Sequence, residues 1–124
     1  MIREDNSVVF HCGRKQVWAN RLGKHHRLNG PAVINPDGGQ YWLKNDKLHR
    51  EGGPAIIRPD GAKYWYQNSL RHRLDGPAII HPDGSQYWCL NGVIHREDAP
   101  AAIKSDGTQQ WWLNGKQVTQ GVEK

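Results

Sequence analysis

The sequence predicts an all-β protein: an elongated antiparallel meander of tandem β-hairpin repeats, one layer thick, with four full repeats and a degenerate N-terminal cap. Three observations carry this reading. A phrase of 23 residues recurs along the chain, so that "HREGGPAIIRPDGAKYW" at 49–65 returns as "HRLDGPAIIHPDGSQYW" at 72–88. Each copy holds two turn signals between short β-prone runs. No stretch places apolar residues at helical spacing over three turns.

The repeat sets the element order. His26, His49, His72 and His95 keep step, each followed by arginine at Arg27, Arg50, Arg73 and Arg96. Next come Pro31, Pro54, Pro77 and Pro100, each with an alanine behind it. Proline at this place suits the first position of a strand, because it has no N–H to give to a ladder. The strand then meets Asp37-Gly38, Asp60-Gly61, Asp83-Gly84 or Asp106-Gly107. In "PDG", proline presets φ, the carboxylate bonds nearby backbone N–H groups and glycine tolerates positive φ, so a hairpin is expected. The return strand carries Trp42, Trp65, Trp88 and Trp111, preceded by Tyr41, Tyr64, Tyr87 and, last, Gln110. Adjacent residues on a strand face opposite ways, so one aromatic column should close the core and the other stay partly exposed. A second hairpin turn follows at Asn91-Gly92 and Asn114-Gly115, the dipeptide that a type I′ turn prefers. Asn45-Asp46 and Asn68-Ser69 stand there in the first two repeats, so this turn is expected to be less uniform than the first.

The whole of 1–124 reads as one repeat domain. The repeats are 26–48, 49–71, 72–94 and 95–117, flanked by a cap at 1–25 and a tail at 118–124. In the cap, Gly13 holds a turn-glycine place and Trp18 falls one residue out of register. Only 36% of residues are hydrophobic and the mean hydropathy is −0.84, which argues for a thin interior. The start, "MIREDNSVVFHCG", lacks an apolar run of about 7–15 residues, so neither a signal peptide nor a membrane span is expected and the cytoplasm is the expected location. Cys12 and Cys89 form no CxxC pair, and no disulfide framework is expected.

The hairpin-sized repeat with its aromatic, Asn-Gly and "HRxxGPA" columns resembles MORN repeats, in particular bacterial and phage variants, over about residues 26–117. It departs from the standard glycine-rich MORN wording. The resemblance implies a single-layer hairpin array used as an interaction module, with some bacterial variants described as antitoxins.

Four chemistries compete for the columns. Zinc needs ligands about 2.0–2.1 Å from one point, whereas equivalent residues on units of two strands stand ~10 Å apart, so the histidines should bind no metal. Catalysis finds no support: the serines occupy unrelated places in the unit, and the repeated aspartates sit in turns that structure explains. No cofactor is expected. The arginines admit two readings. Glu51, Asp75, Glu97 and Asp98 follow closely and could brace them as scaffold. Otherwise Arg50, Arg73 and Arg96, with Arg21, Lys24, His25, His26 and Arg27 at the N-terminal end, form a polyanion-binding surface, in keeping with a net charge of +5 and a pI near 9.4. Nucleic acid is the natural partner in that case.

The leading expectation is a non-enzymatic module that binds another protein along an elongated face, as a small phage or bacterial inhibitor or antitoxin-like protein acting by steric occlusion. Leu43, Tyr66, Cys89 and Trp112 vary within one column and form an apolar stripe, the candidate protein-binding residues. A homodimer through open strand edges is a further expectation.

Overall fold

The computed structural model describes residues 8–119. The outer parts of the cap and tail, 1–7 and 120–124, lie outside the described residues. The protein is all-β, and among the described residues there is no helix. The cap supplies β1 (Val8–Cys12) and β2 (Lys15–Ala19). The first unit adds β3 (Val33–Ile34), β4 (Gln40–Tyr41), β5 (Leu43–Lys44) and β6 (Lys47–Leu48). The second adds β7 (Ile56–Ile57), β8 (Lys63–Tyr64), β9 (Tyr66–Gln67) and β10 (Leu70–Arg71). The third adds β11 (Ile79–Ile80), β12 (Gln86–Tyr87), β13 (Cys89–Leu90) and β14 (Val93–Ile94). The last ends the array with β15 (Ala102–Ile103), β16 (Gln109–Leu113) and β17 (Lys116–Val118).

Eleven strands form one antiparallel sheet in the order β1-β2-β3-β4-β7-β8-β11-β12-β15-β16-β17. The remaining strands branch from it as three hairpins, β5-β6, β9-β10 and β13-β14. The branch point is the tryptophan. Its N–H turns away from its own hairpin and donates to the next unit's alanine carbonyl, Trp42 to Ala55, Trp65 to Ala78 and Trp88 to Ala101, at 2.7–2.8 Å. The carbonyl of the same tryptophan accepts from the histidine N–H closing the hairpin, as in His49 to Trp42 at 3.1 Å. One residue thus joins two strand systems.

The two turns behave differently from one another. At the first, Gly38 N–H donates to Asn35 O and Asn35 N–H to Gly39 O, both at 2.9 Å, closing a three-residue loop over Pro36, Asp37 and Gly38. Gly38 has φ 97°, a left-handed conformation that suits glycine. The aspartate side chain accepts from the N–H two residues on in all four units, at 2.9–3.0 Å.

At the second turn the expected non-uniformity is corrected. Asn45 and Asp46 have φ 52° and 69°, and Asn68 and Ser69 have 50° and 68°, close to the Asn91 and Asn114 values of 48° and 50°. All four turns have positive φ at both central residues. The reason lies outside the turn. Each asparagine N–H donates to the Nδ1 of the histidine that opens its own unit, Asn45 to His26, Asn68 to His49, Asn91 to His72 and Asn114 to His95, at 2.8–3.2 Å. The next N–H, of Asp46, Ser69, Gly92 or Gly115, donates at 2.8 Å to the carbonyl just before that histidine. One bond within the unit and one to the residue that ends the unit before hold a conformation that costs a non-glycine residue about 1–2 kcal/mol.

The displaced Trp18 is also back in register. Its N–H donates to Ala32 O at 2.8 Å, as its counterparts do. The extra residue is absorbed by a turn from Asn20 to Lys24, whose Asn20 side chain accepts from Leu22 and Lys24 N–H. The cap hairpin itself closes over two residues, Gly13 and Arg14, so its glycine does not reproduce the three-residue loop.

The core is thin. Ala32, Ala55, Ala78 and Ala101 are each 0% exposed and form its spine. The main buried cluster is Ala78, Ile79 and Cys89, with Tyr64, Trp65, Tyr87 and Ile94 packed on it. Neither aromatic column is fully enclosed: Trp42, Trp65 and Trp88 are half-buried, and so are Tyr41, Tyr64 and Tyr87.

Candidate functional site

The His-Arg column is the most repeated chemistry in the chain, and its geometry is the same in every unit. Each guanidinium lies flat enough over the preceding unit's indole to put Cζ 3.9–4.0 Å from the ring centroid: Arg27 on Trp18, Arg50 on Trp42, Arg73 on Trp65 and Arg96 on Trp88. The Nη1 of each arginine then donates to the proline carbonyl four residues on, at 3.0–3.2 Å. Burial lowers the pKa of Arg50. The glycine of "HRxxGPA" makes room for this. A Cβ on Gly30, Gly53 or Gly76 would come within 2.7–2.8 Å of the guanidinium carbon. The last unit has Ala99 there, and Arg96 keeps both contacts, so the arginine yields rather than the backbone.

The arginines are therefore braced, but by an aromatic face and a backbone carbonyl more than by the acids that follow them. Arg73 also pairs with its acid, Nε to Asp75 Oδ1 at 3.1 Å. Glu51 and Glu97 instead approach the histidines, His49 Nε2 at 3.7 Å and His95 Nε2 at 3.5 Å. With Nδ1 accepting and Nε2 directed at a carboxylate, these two imidazoles are held with the proton on Nε2.

At the N-terminal end, Arg21, Lys24 and His25 are exposed, whereas His26 is 9% exposed and Arg27 is half-buried on Trp18. The patch is thus smaller at the surface than in the sequence. His25 has its own anion: Asp46 Oδ1 accepts from its N–H and approaches its Nδ1 at 3.0 Å. The His25 N–H bond, ahead of the imidazole, holds the Asp46 carboxyl below its ordinary range.

The apolar stripe falls on strands β5, β9, β13 and β16, where Leu43, Tyr66, Cys89 and Trp112 lie opposite Leu48, Arg71, Ile94 and Gln117. Directly opposed residues share a face. For Cys89 and Ile94 that face is the core, and Cys89 is 2% exposed, with burial pushing its thiol pKa up. Leu43, Tyr66 and Trp112 are half-buried on the same side.

The opposite side carries residues that the sequence reading did not single out. Its pairs are Lys44 with Lys47, Gln67 with Leu70, Leu90 with Val93, and Leu113 with Lys116. Leu70 and Val93 are 48% and 43% exposed, and the nearby Leu74 is 82% exposed. The usable signal was the flanking of each Asn-x turn, one residue further out than the stripe. Recesses open between successive His-Arg loops beside these pairs. One of about 590 Å³ lies among Arg27, Trp42, Lys44 and Arg50. The next, about 690 Å³, has Arg50, Trp65, Gln67 and Arg73, and a third of about 400 Å³ has Leu74, Trp88, Leu90 and Arg96.

No protein-family model matches the chain, and neither a curated protein nor a solved structure matches it. Among the described residues, no group of three or more His, Cys, Asp or Glu side chains gathers around one point. No helix among them is long and apolar enough to cross a membrane.

Proposed function

We propose that this is a non-enzymatic protein-protein interaction module of MORN-like kind, a small phage or bacterial inhibitor or antitoxin-like protein of the cytoplasm that occludes its partner along an elongated face. The observation that carries the reading is the split between used and unused side chains. The repeated His, Arg, Trp, Asn and Asp are engaged within or between units, whereas Leu70, Leu74 and Val93 are large, apolar and exposed. Exposed apolar side chains in contiguous array mark interaction surfaces. The stripe of Leu43, Tyr66, Cys89 and Trp112 supports that face from behind.

The second reading, polyanion binding, is favoured by Arg21, Lys24 and His25, which are exposed within five residues of one another in the chain. Capture of a partner from nuclease-treated host lysate by wild type and by a Leu70→Lys, Val93→Lys variant separates the two. The protein-binding reading expects a captured protein that resists added salt and is lost in the variant. Loss of every partner after nuclease, or affinity collapsing with salt in the manner of phosphate contacts, would overturn it.

A further inference from the structure

The outward pairs of the first three hairpins change in one direction, and the fourth, Leu113 with Lys116, brings a lysine back. Lys44 and Lys47 face each other in the first unit, Gln67 and Leu70 in the second, Leu90 and Val93 in the third. The backbone beneath them does not change, since all three turns have the same positive-φ geometry. Like charges set directly opposite destabilise a strand pair. Among the described residues neither lysine has an ion pair to offset that, because the nearest acid in sequence, Asp46, is engaged by His25. Val93, 43% exposed opposite a half-buried Leu90, likewise lies on the face away from the Cys89-Ile94 pair that packs in the core.

The charge of the recesses follows the same trend, while each has apolar lining, Leu28 and Trp42 in the first. The first is lined by Arg27, Lys44 and Arg50 against Glu51 alone, a cationic excess. In the next, Arg50 and Arg73 are balanced by Glu51 and Asp75. In the third, Arg73 and Arg96 are balanced by Asp75 and Glu97, and Leu74, Trp88 and Leu90 supply the apolar lining.

The geometry points to one graded docking strip, from Lys44 and Lys47 to Leu90 and Val93, whose occupant is an extended segment of a partner protein that is acidic at one end and apolar at the other. This rests on the protein-binding reading above and adds the partner's chemistry. A nucleic-acid strand is the poorer fit, because it carries charge throughout and would lie over an apolar end. The spacing is also set. Lys44 and Leu90 are two units apart, about 20 Å at two strands of ~4.8 Å per unit, which an extended chain crosses in about six residues.

The test uses two fluorescein-labelled synthetic peptides of about 12 residues and identical composition, one with a glutamate block and a Leu/Val block whose centres are about six residues apart, the other with the same residues interleaved. Fluorescence anisotropy is read against wild type, Lys44→Glu with Lys47→Glu, and Leu90→Ser with Val93→Ser, after circular dichroism has established that all three fold alike. The segregated peptide is expected to bind wild type about tenfold more tightly or better, equivalent to about 1.4 kcal/mol. The glutamate variant should abolish that preference together with its salt dependence, and the serine variant should weaken what remains. Equal binding of both peptides, or a preference that survives Lys44→Glu with Lys47→Glu, overturns the graded strip. If in that case the Leu70→Lys, Val93→Lys variant still loses a salt-resistant partner, the broader protein-binding reading stands without it.

Discussion

Removing the Arg73 guanidinium tests the account of the scaffold most directly. Arg73→Ala takes away a cation-π contact at 4.0 Å over Trp65 and a charge-assisted hydrogen bond of 3.0 Å to Pro77 O. A partly desolvated contact of the first kind contributes about 1 kcal/mol. A hydrogen bond to a charged group contributes about 1.5–3 kcal/mol. The ion pair to Asp75 adds little, because that carboxylate is 89% exposed. The expected loss is therefore about 3 kcal/mol, a large share of the about 5–15 kcal/mol that holds a domain folded. Urea unfolding followed by circular dichroism measures it. Arg73→Lys keeps the charge but has neither the plane nor the fork, so it should recover less than about half of the loss. A cycle with Trp65→Ala should return a coupling of about 1 kcal/mol. A loss below about 0.5 kcal/mol, the level of an ordinary surface substitution, or full recovery by lysine, would refute the bracing role.

Two further predictions concern the turns. Gly84→Ala meets open space but must hold φ 93°, so it is expected to cost about 1–3 kcal/mol, whereas Gly76→Ala only displaces the end of Arg73, as Ala99 does in the last unit, and should cost less; denaturation midpoints in the reverse order would refute the assignment. Asp83 and Asp106 are held below their ordinary value of 3.8, the first chiefly by the Ser85 N–H and the second chiefly by the Thr108 side chain. A carboxylate with a depressed folded pKa contributes stability that is present above its unfolded pKa and lost as pH falls through the folded one. Stability should thus decline below about pH 4, and Asp83→Asn with Asp106→Asn should make that decline shallower; an unchanged acid slope in urea melts at stepped pH would refute it.

What the sequence made legible was whatever depends on residue identity at a fixed step. The period, the "PDG" hairpins and the one-layer meander followed from it, and the registers of β3-β4, β7-β8 and β11-β12 agree with the turn positions. The bracing of the arginines was half legible. Acids two residues away are conspicuous in a string of letters, while a neighbour's indole face and a proline carbonyl are not, so Trp65 and Pro77 were missed as the partners of Arg73. The histidine bonds were hidden for the same reason, since the group donating to His72 is the backbone of Asn91, 19 residues away. The orientation of the hairpins was not legible either. Alternation separates Cys89 from Leu90, but both are apolar, and only packing on Ala78 and Ile79 decides that Cys89 points inward.

The contacts from each second turn and each arginine to the unit before it have a consequence for how such a chain changes size. No unit is finished by its own residues: the Ser69 N–H bonds Leu48 O of the unit before, and Arg50 covers Trp42. Excising or copying 23 residues therefore leaves every interior seam with an equivalent donor and acceptor, and the molecule becomes a shorter or longer ruler of the same cross-section. Reach can vary in whole steps of about 10 Å while the seams stay as they are.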